Sequence, residues 1–134
     1  MPIEASTNES VYVLDDDPSI LKAIGRLLAA EGIKMRGFSD PADFLASIET
    51  HPVPVAILDV WMDRMTGLEV QSKLTRISPH TQIIIMTARG DPGVKQTASE
   101  MAAIAFFVKP FDDEEFISAI RTALAVNRPG KSDS

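Results

Sequence analysis

The sequence predicts an α/β fold, a (βα)5 arrangement in which a central five-stranded parallel sheet carries helices on both faces. Three observations lead there. Five short apolar runs, at residues 11–14, 33–38, 53–58, 82–86 and 104–108, are separated by segments whose apolar residues recur at helical spacing. The third and fourth runs are rich in Val and Ile and do not alternate with polar residues, which is how strands buried on both faces read. Each gap between runs is long enough for the dozen or so residues that a right-handed crossover between parallel strands requires.

The first run passes directly into Asp15, Asp16 and Asp17. Asp17-Pro18 pairs an N-cap with a first-turn proline, Ile20, Ile24, Leu27 and Leu28 then line one helical face, and Gly32 closes the helix. In the second run Lys34 and Arg36 alternate with Ile33, Met35 and Phe38, so this strand reads as half exposed and belongs at a sheet edge. Asp40-Pro41 and Asp91-Pro92 repeat the helix-opening signal, and Pro79 marks the end of the helix between them. The third run ends in Asp59, the fourth in Thr87 and the fifth in Lys109. The last helix is predicted to begin at Asp112, with Glu115 three residues on in the pattern of a capping box and Phe116, Ile120 and Leu124 on one face. Residues 1–9 read as a frayed N-terminus, 10–127 as one domain, and 128–134 as a tail or the stump of a linker.

Composition narrows the chemistry. A chain of 134 residues supports one hydrophobic core but not two. No apolar stretch approaches the roughly 20 residues that span a bilayer, and the acidic, polar start lacks the pattern of a secretory signal, so a cytoplasmic location and no membrane contact are expected. With no cysteine, disulfides, thiolate chemistry and zinc–cysteine sites are excluded. His51 and His80 each neighbour a proline and read as solvated loop residues, and the six methionines are scattered as packing residues. A net charge of −6 argues against nucleic-acid binding by this domain, which needs clustered Lys and Arg.

In open α/β sheets ligands bind beyond the carboxyl ends of the strands. The residues ending four of the five strands here are polar: Asp15 to Asp17, Asp59, Thr87 and Lys109. Converging carboxylates repel unless a cation neutralises them, and oxygen donors without His or Cys suit Mg²⁺, with Mn²⁺ as the alternative. Lys109 supplies a positive point charge, the Thr87 hydroxyl a hydrogen-bond donor, and an aspartate such as Asp59 is a competent nucleophile towards phosphorus.

Taken together, Asp15-Asp16, Asp59, Thr87-Ala88 and Lys109-Pro110 resemble the four motifs of the receiver domain of two-component response regulators, in order and over about residues 10–127. That resemblance implies a flavodoxin-like sheet of order 2-1-3-4-5 and a phosphorylation-dependent switch rather than an enzyme that turns over a substrate. It implies that Asp59 accepts a phosphoryl group from a sensor histidine kinase or phosphotransfer protein. Asp16 would bind Mg²⁺ directly, Asp15 partly through water, and the backbone carbonyl of Trp61 would complete the protein's share of the coordination. Thr87 and Phe106 match the family's switch pair, Lys109 its phosphoryl-binding lysine, Pro110 its cis-proline and Gly67 its turn glycine. The surface of the fourth helix, fifth strand and fifth helix would carry the signal to an output domain or partner, and a homodimer would form through it. The segments after Thr87 and around Lys109 are similar to receivers of transcription regulators that carry a C-terminal helix-turn-helix module.

Several positions depart from the family pattern. Asp63 stands where a loop proline is usual, which loosens the loop's fixed φ, and Ala102 stands where glycine is usual, which demands φ < 0 or strain. Asp63 and Asp91 read as a solvated loop residue and a helix cap, and Asp17 as a cap rather than a ligand. Trp61 is expected at the site's rim, its indole shielding an acyl phosphate from water, with Arg89 flanking the same opening and attracting the donor's phosphate. Two rival readings find less support: a phosphatase using the Asp-x-Asp within Asp15–Asp17, a pattern that here runs into the helix-capping Asp17-Pro18, and a receiver-like binding module indifferent to phosphate, to which the full set of Asp15, Asp16, Asp59, Thr87 and Lys109 lends nothing.

Overall fold

The computed structural model describes residues 10–126; the predicted N-terminal fraying and the 128–134 tail lie outside them. Five strands, β1 (Val11–Leu14), β2 (Met35–Phe38), β3 (Val55–Asp59), β4 (Gln82–Thr87) and β5 (Ala103–Val108), alternate with five helices, α1 (Pro18–Ala30), α2 (Pro41–Thr50), α3 (Gly67–Ile77), α4 (Pro92–Glu100) and α5 (Asp113–Val126). All strand pairs are parallel and the order is β2-β1-β3-β4-β5, as expected for a doubly wound fold.

The central strands are apolar on both sides because both faces are covered. On one face Tyr12, Leu14, Ala56, Leu58, Ile83 and Ile85 pack with Phe38, Phe44, Ile48, Val70, Leu74 and Ala98, under α2, α3 and α4. On the other, Val11, Val13, Val55, Ile57, Ile84 and Met86 pack with Ile24, Leu28, Phe116, Ile117 and Ile120, under α1 and α5. Every side chain of β1 and β3 is buried, whereas β2 buries only Phe38. That difference separates the sheet's centre from its edge, where Lys34 and Arg36 placed it in the sequence.

The element ends differ from expectation for identifiable reasons. β2 begins at Met35 rather than Ile33 because Ile33 belongs to the end of α1: its N–H donates to Leu28 O (2.9 Å) and that of Gly32 to Ala29 O (3.0 Å), with Gly32 at φ 74°. The Gly-x pair thus closes a Schellman motif before the strand starts. β3 begins at Val55 because Val53 and Pro54 offer their carbonyls to Thr81 Oγ1 and Gln82 N instead. Asp112 is the cap before α5 rather than its first residue: the Glu115 N–H donates to Asp112 Oδ2 (2.9 Å), one half of the expected capping box. A full reciprocal box forms at Thr66 and Glu69, opening α3. Asp17 and Asp40 cap α1 and α2 through Ser19 N and Ala42 N, whereas Asp91 makes no side-chain cap at α4.

α4 is the least anchored helix. Of its nine residues only Ala98 is buried, and its C-terminal end is held by the buried Gln71 amide, which donates to Ala98 O (3.1 Å) and Met101 O (3.0 Å). The next residue, Ala102, is at φ 71°. The turn is therefore not reshaped to suit alanine; it keeps the left-handed conformation and the strain that a Cβ brings there. Among the described residues no helix is long and apolar enough to cross a membrane.

Ala102→Gly is expected to stabilise the protein by about 0.5–1 kcal/mol in urea denaturation, the relief of left-handed strain exceeding the extra entropy of an unfolded glycine. An unchanged or lowered midpoint would show that Ala102 carries no net strain.

Candidate functional site

Asp15, Asp59, Thr87 and Lys109 meet at the carboxyl edge of the sheet because their strands are in register there. Leu14 pairs with Leu58, so Asp15 and Asp59 leave β1 and β3 side by side. Asp59 pairs with Met86 and Thr87 with Val108, which brings Thr87 and Lys109 to the same level. Backbone bonds fix the exits: Asp15 N donates to Phe38 O (3.0 Å), Val60 N to Met86 O (3.1 Å) and Lys109 N to Thr87 O (2.7 Å). The Lys109-Pro110 peptide is cis, as the family resemblance implied.

The turn after β3 depends on Gly67. Its N–H donates to Val60 O (2.8 Å), and a Cβ built at this position would sit 2.2 Å from the Asp59 carbonyl oxygen. Only a residue without a side chain lets α3 begin this close to the strand carrying Asp59.

Asp15 and Asp59 are 1% and 4% exposed, and Lys109 is shared between them: Nζ donates to Asp15 Oδ2 (2.8 Å) and to Asp59 Oδ1 (3.2 Å). Asp16 is the least buried carboxylate of the three. One oxygen from each of Asp15, Asp16 and Asp59 lies within 4.8 Å of the others. Burial, then the charge of Asp15, push Asp59 up to about 6 despite the pull of Lys109. Burial of the Lys109 ammonium acts to lower its pKa, but the hydrogen bonds and charges of Asp15 and Asp59 outweigh it and hold Lys109 above the usual lysine value. One lysine thus under-compensates three carboxylates. Hard oxygen donors with surplus negative charge and no His or Cys fit a divalent cation of the Mg²⁺ type.

The structure corrects the reading of Asp63. Its backbone N–H donates to Asp16 Oδ2 (3.2 Å), a bond a proline cannot make, so this loop is tied to the acidic cluster rather than loosened. Asp17 is the cap it was taken for, and hydrogen bonds from the Ser19 side chain and backbone hold its carboxyl below the usual range. His51 and His80 are exposed, and neither belongs to the carboxylate cluster of Asp15, Asp16 and Asp59.

Thr87 is fully buried and engages its own loop: Oγ1 donates to Arg89 O (3.0 Å) and accepts from Arg89 N (3.2 Å). Phe106 is half-buried; with Val108, the partner of Thr87, it lies on the sheet face that Thr87 shares. Trp61 is 38% exposed at the start of the β3–α3 loop. The Arg89 guanidinium lies 4.5 Å from its ring centroid, bridging that loop to the one after β4. A rim position for both residues is expected from the sequence but their contact is not, since 27 positions lie between them.

A parallel doubly wound sheet with acidic groups at the point where strand order reverses defines the class of ligand-binding α/β proteins. Residues 11–121 match the response regulator receiver domain model, and the chain belongs to that family. It is 38% identical over 114 residues to the response regulator protein TmoT of Ectopseudomonas mendocina, covering 85% of this chain and 52% of that protein. The chain therefore spans about half the length of such relatives. A CheY-like receiver domain protein from Methanospirillum hungatei superposes with a TM-score of 0.83 at 23% identity over 89% of this chain and 95% of that one. The beryllofluoride-activated NtrC4 receiver domain dimer gives 0.82 at 29% identity, over 86% and 95%.

Replacing Asp59 by Asn is expected to stabilise the metal-free protein. A carboxyl raised from 3.8 to about 6 on folding favours the fold when protonated, so its cost is absent below pH 4, grows as pH rises to 6 and is full above. Urea denaturation in EDTA should find Asp59→Asn more stable by about 3 kcal/mol at pH 7.5 and nearly equal at pH 4. Equal stability at both pH values would contradict the charge crowding.

Proposed function

We propose that this receiver domain is a phosphorylation-dependent switch whose phosphoacceptor is Asp59. The observation that carries the reading is the shared ammonium of Lys109, which holds Asp59 against Asp15 beside a third carboxylate at the sheet's carboxyl edge. The carboxylates of Asp15, Asp16 and Asp59, with the Trp61 backbone carbonyl, would hold Mg²⁺. The bound cation would offset the surplus negative charge and stabilise charge on the phosphoryl oxygens.

The protein's own groups then have distinct tasks. An Asp59 carboxylate oxygen forms the new bond to phosphorus as the phosphorus–nitrogen bond of a kinase phosphohistidine breaks, and the electron pair of that bond leaves with the imidazole, which takes up a proton. Lys109 already sits on Asp59 Oδ1 and has a short path to a phosphoryl oxygen. Thr87 supplies a hydroxyl donor once it leaves the Arg89 carbonyl, and Phe106, on the same sheet face, turns into the space vacated. These are transfers to the protein itself, so turnover of an external substrate is not expected.

Consequences pass to the surface of α4, β5 and α5. α4 is weakly anchored and β5 is an edge strand with Ile104 and Val108 exposed, which supports a face that changes partner or pairs with a second copy. The NtrC4 receiver, named as a dimer in its beryllofluoride-activated state, is a precedent for pairing. Relatives such as TmoT are about twice as long as this chain, consistent with an output module beyond the receiver and with a cytoplasmic transcription regulator.

Incubation with phosphoramidate and Mg²⁺ should add the mass of one phosphoryl group to the wild type and none to Asp59→Asn; an undiminished gain in the variant would refute the assignment. Trp61→Ala should shorten the phosphoryl lifetime several-fold in a dephosphorylation time course, because the indole screens the site. An unchanged lifetime would sink the shielding role.

A further inference from the structure

Residue 89 is gripped at both ends. Its backbone N–H and C=O are both bonded to the Thr87 hydroxyl, and its guanidinium lies on the Trp61 indole. A threonine hydroxyl has one proton to donate, and here it is committed to Arg89 O. For Thr87 to donate to a group on Asp59, the bond to Arg89 must break and the segment after β4 must shift. Gly90 follows, lying so close to Val108 that a Cβ there would be 2.8 Å from Val108 Cγ2, so the loop packs directly on the strand next to Thr87.

We propose that Trp61 and Arg89 are positioning residues, a latch whose cation–π contact holds the Thr87 hydroxyl turned onto its own loop and away from Asp59. The inference rests on Asp59 being the group that Thr87 answers to. The latch ties the loop after β3, which carries the acidic site, to the loop after β4, which must move. It closes at a surface where Trp61 is 38% exposed, and exposed cation–π contacts are weak. The contact therefore biases an equilibrium rather than locking it. Because the main-chain groups of residue 89 make the bonds to Thr87, truncating the Arg89 side chain removes the latch and leaves those bonds available. Neither side chain contributes to the buried core clusters, so their loss acts locally.

Amide hydrogen exchange of the metal-free protein tests the latch without any phosphoryl group. The Arg89 amide is expected to exchange about two- to fivefold faster in Trp61→Ala, and the residue 89 amide equally so in Arg89→Ala, with the amides of Ile84 and Ile85 unchanged. Arg89→Lys, which keeps a cation, should restore part of the protection. Titration with beryllofluoride and Mg²⁺, followed by NMR, should show both single variants binding about two- to fivefold more tightly than the wild type. The double variant should gain no more than either single one, because each change opens the same contact. Unchanged exchange at residue 89 in both variants would overturn the latch. So would weaker beryllofluoride binding by Arg89→Ala, which would mean that Arg89 contacts the phosphoryl analogue itself. A wild type that fails to bind beryllofluoride would instead count against Asp59 as phosphoacceptor, leaving the exchange result to decide the latch.

Discussion

The arrangement depends on one ammonium group serving two buried carboxylates. Lys109 reaches from the end of β5 across the sheet edge to Asp15 and Asp59, at the ends of β1 and β3, and no other described cation touches either acid. Buried charges persist only when paired, and here the pairing is deliberately short by comparison with the negative charge present. The site is thus held together firmly enough to fold and left with an electrostatic deficit that favours a cation or a change of charge at Asp59. Removing the lysine would leave two buried acids without a cationic partner, Asp15 keeping only the Asp17 N–H (2.9 Å), which is why the same residue matters to stability and to chemistry.

The scaffold divides into a rigid and a yielding half. β1, β3 and β4 are sealed on both faces, and the turn after Asp59 is drawn tight by Gly67, so the acidic groups stand on elements that cannot drift. On the far side α4 buries a single alanine, lacks a side-chain N-cap and is followed by a strained Ala102. Low burial and strain mark the segment that opens at least cost. Thr87 lies at the seam, at the end of a sealed strand but bonded to the loop that leads into α4.

Much of this was legible in the chain because buried parallel strands and strand-end polar residues leave direct marks. The runs ending in Asp59, Thr87 and Lys109 located strands and site residues together, since register alone brings those ends to one level. Boundaries were less legible where two motifs share residues: Ile33 is apolar enough for a strand but is used by the end of α1. The Asp63 N–H was misread because the absence of proline suggests freedom, whereas it supplies a donor to Asp16. The contact of Arg89 with Trp61 was hidden for a different reason. Both are exposed loop residues with no periodic signal, and only the fold brings the two loops together.

The chemistry of the site depends on surplus negative charge at Asp59. An NMR titration of the Asp59 carboxyl carbon in metal-free protein measures it directly. The expected result is an apparent midpoint near 6, with burial and Asp15 outweighing Lys109. A midpoint at or below the ordinary 3.8 would show that Lys109 fully satisfies the cluster, and would contradict the account.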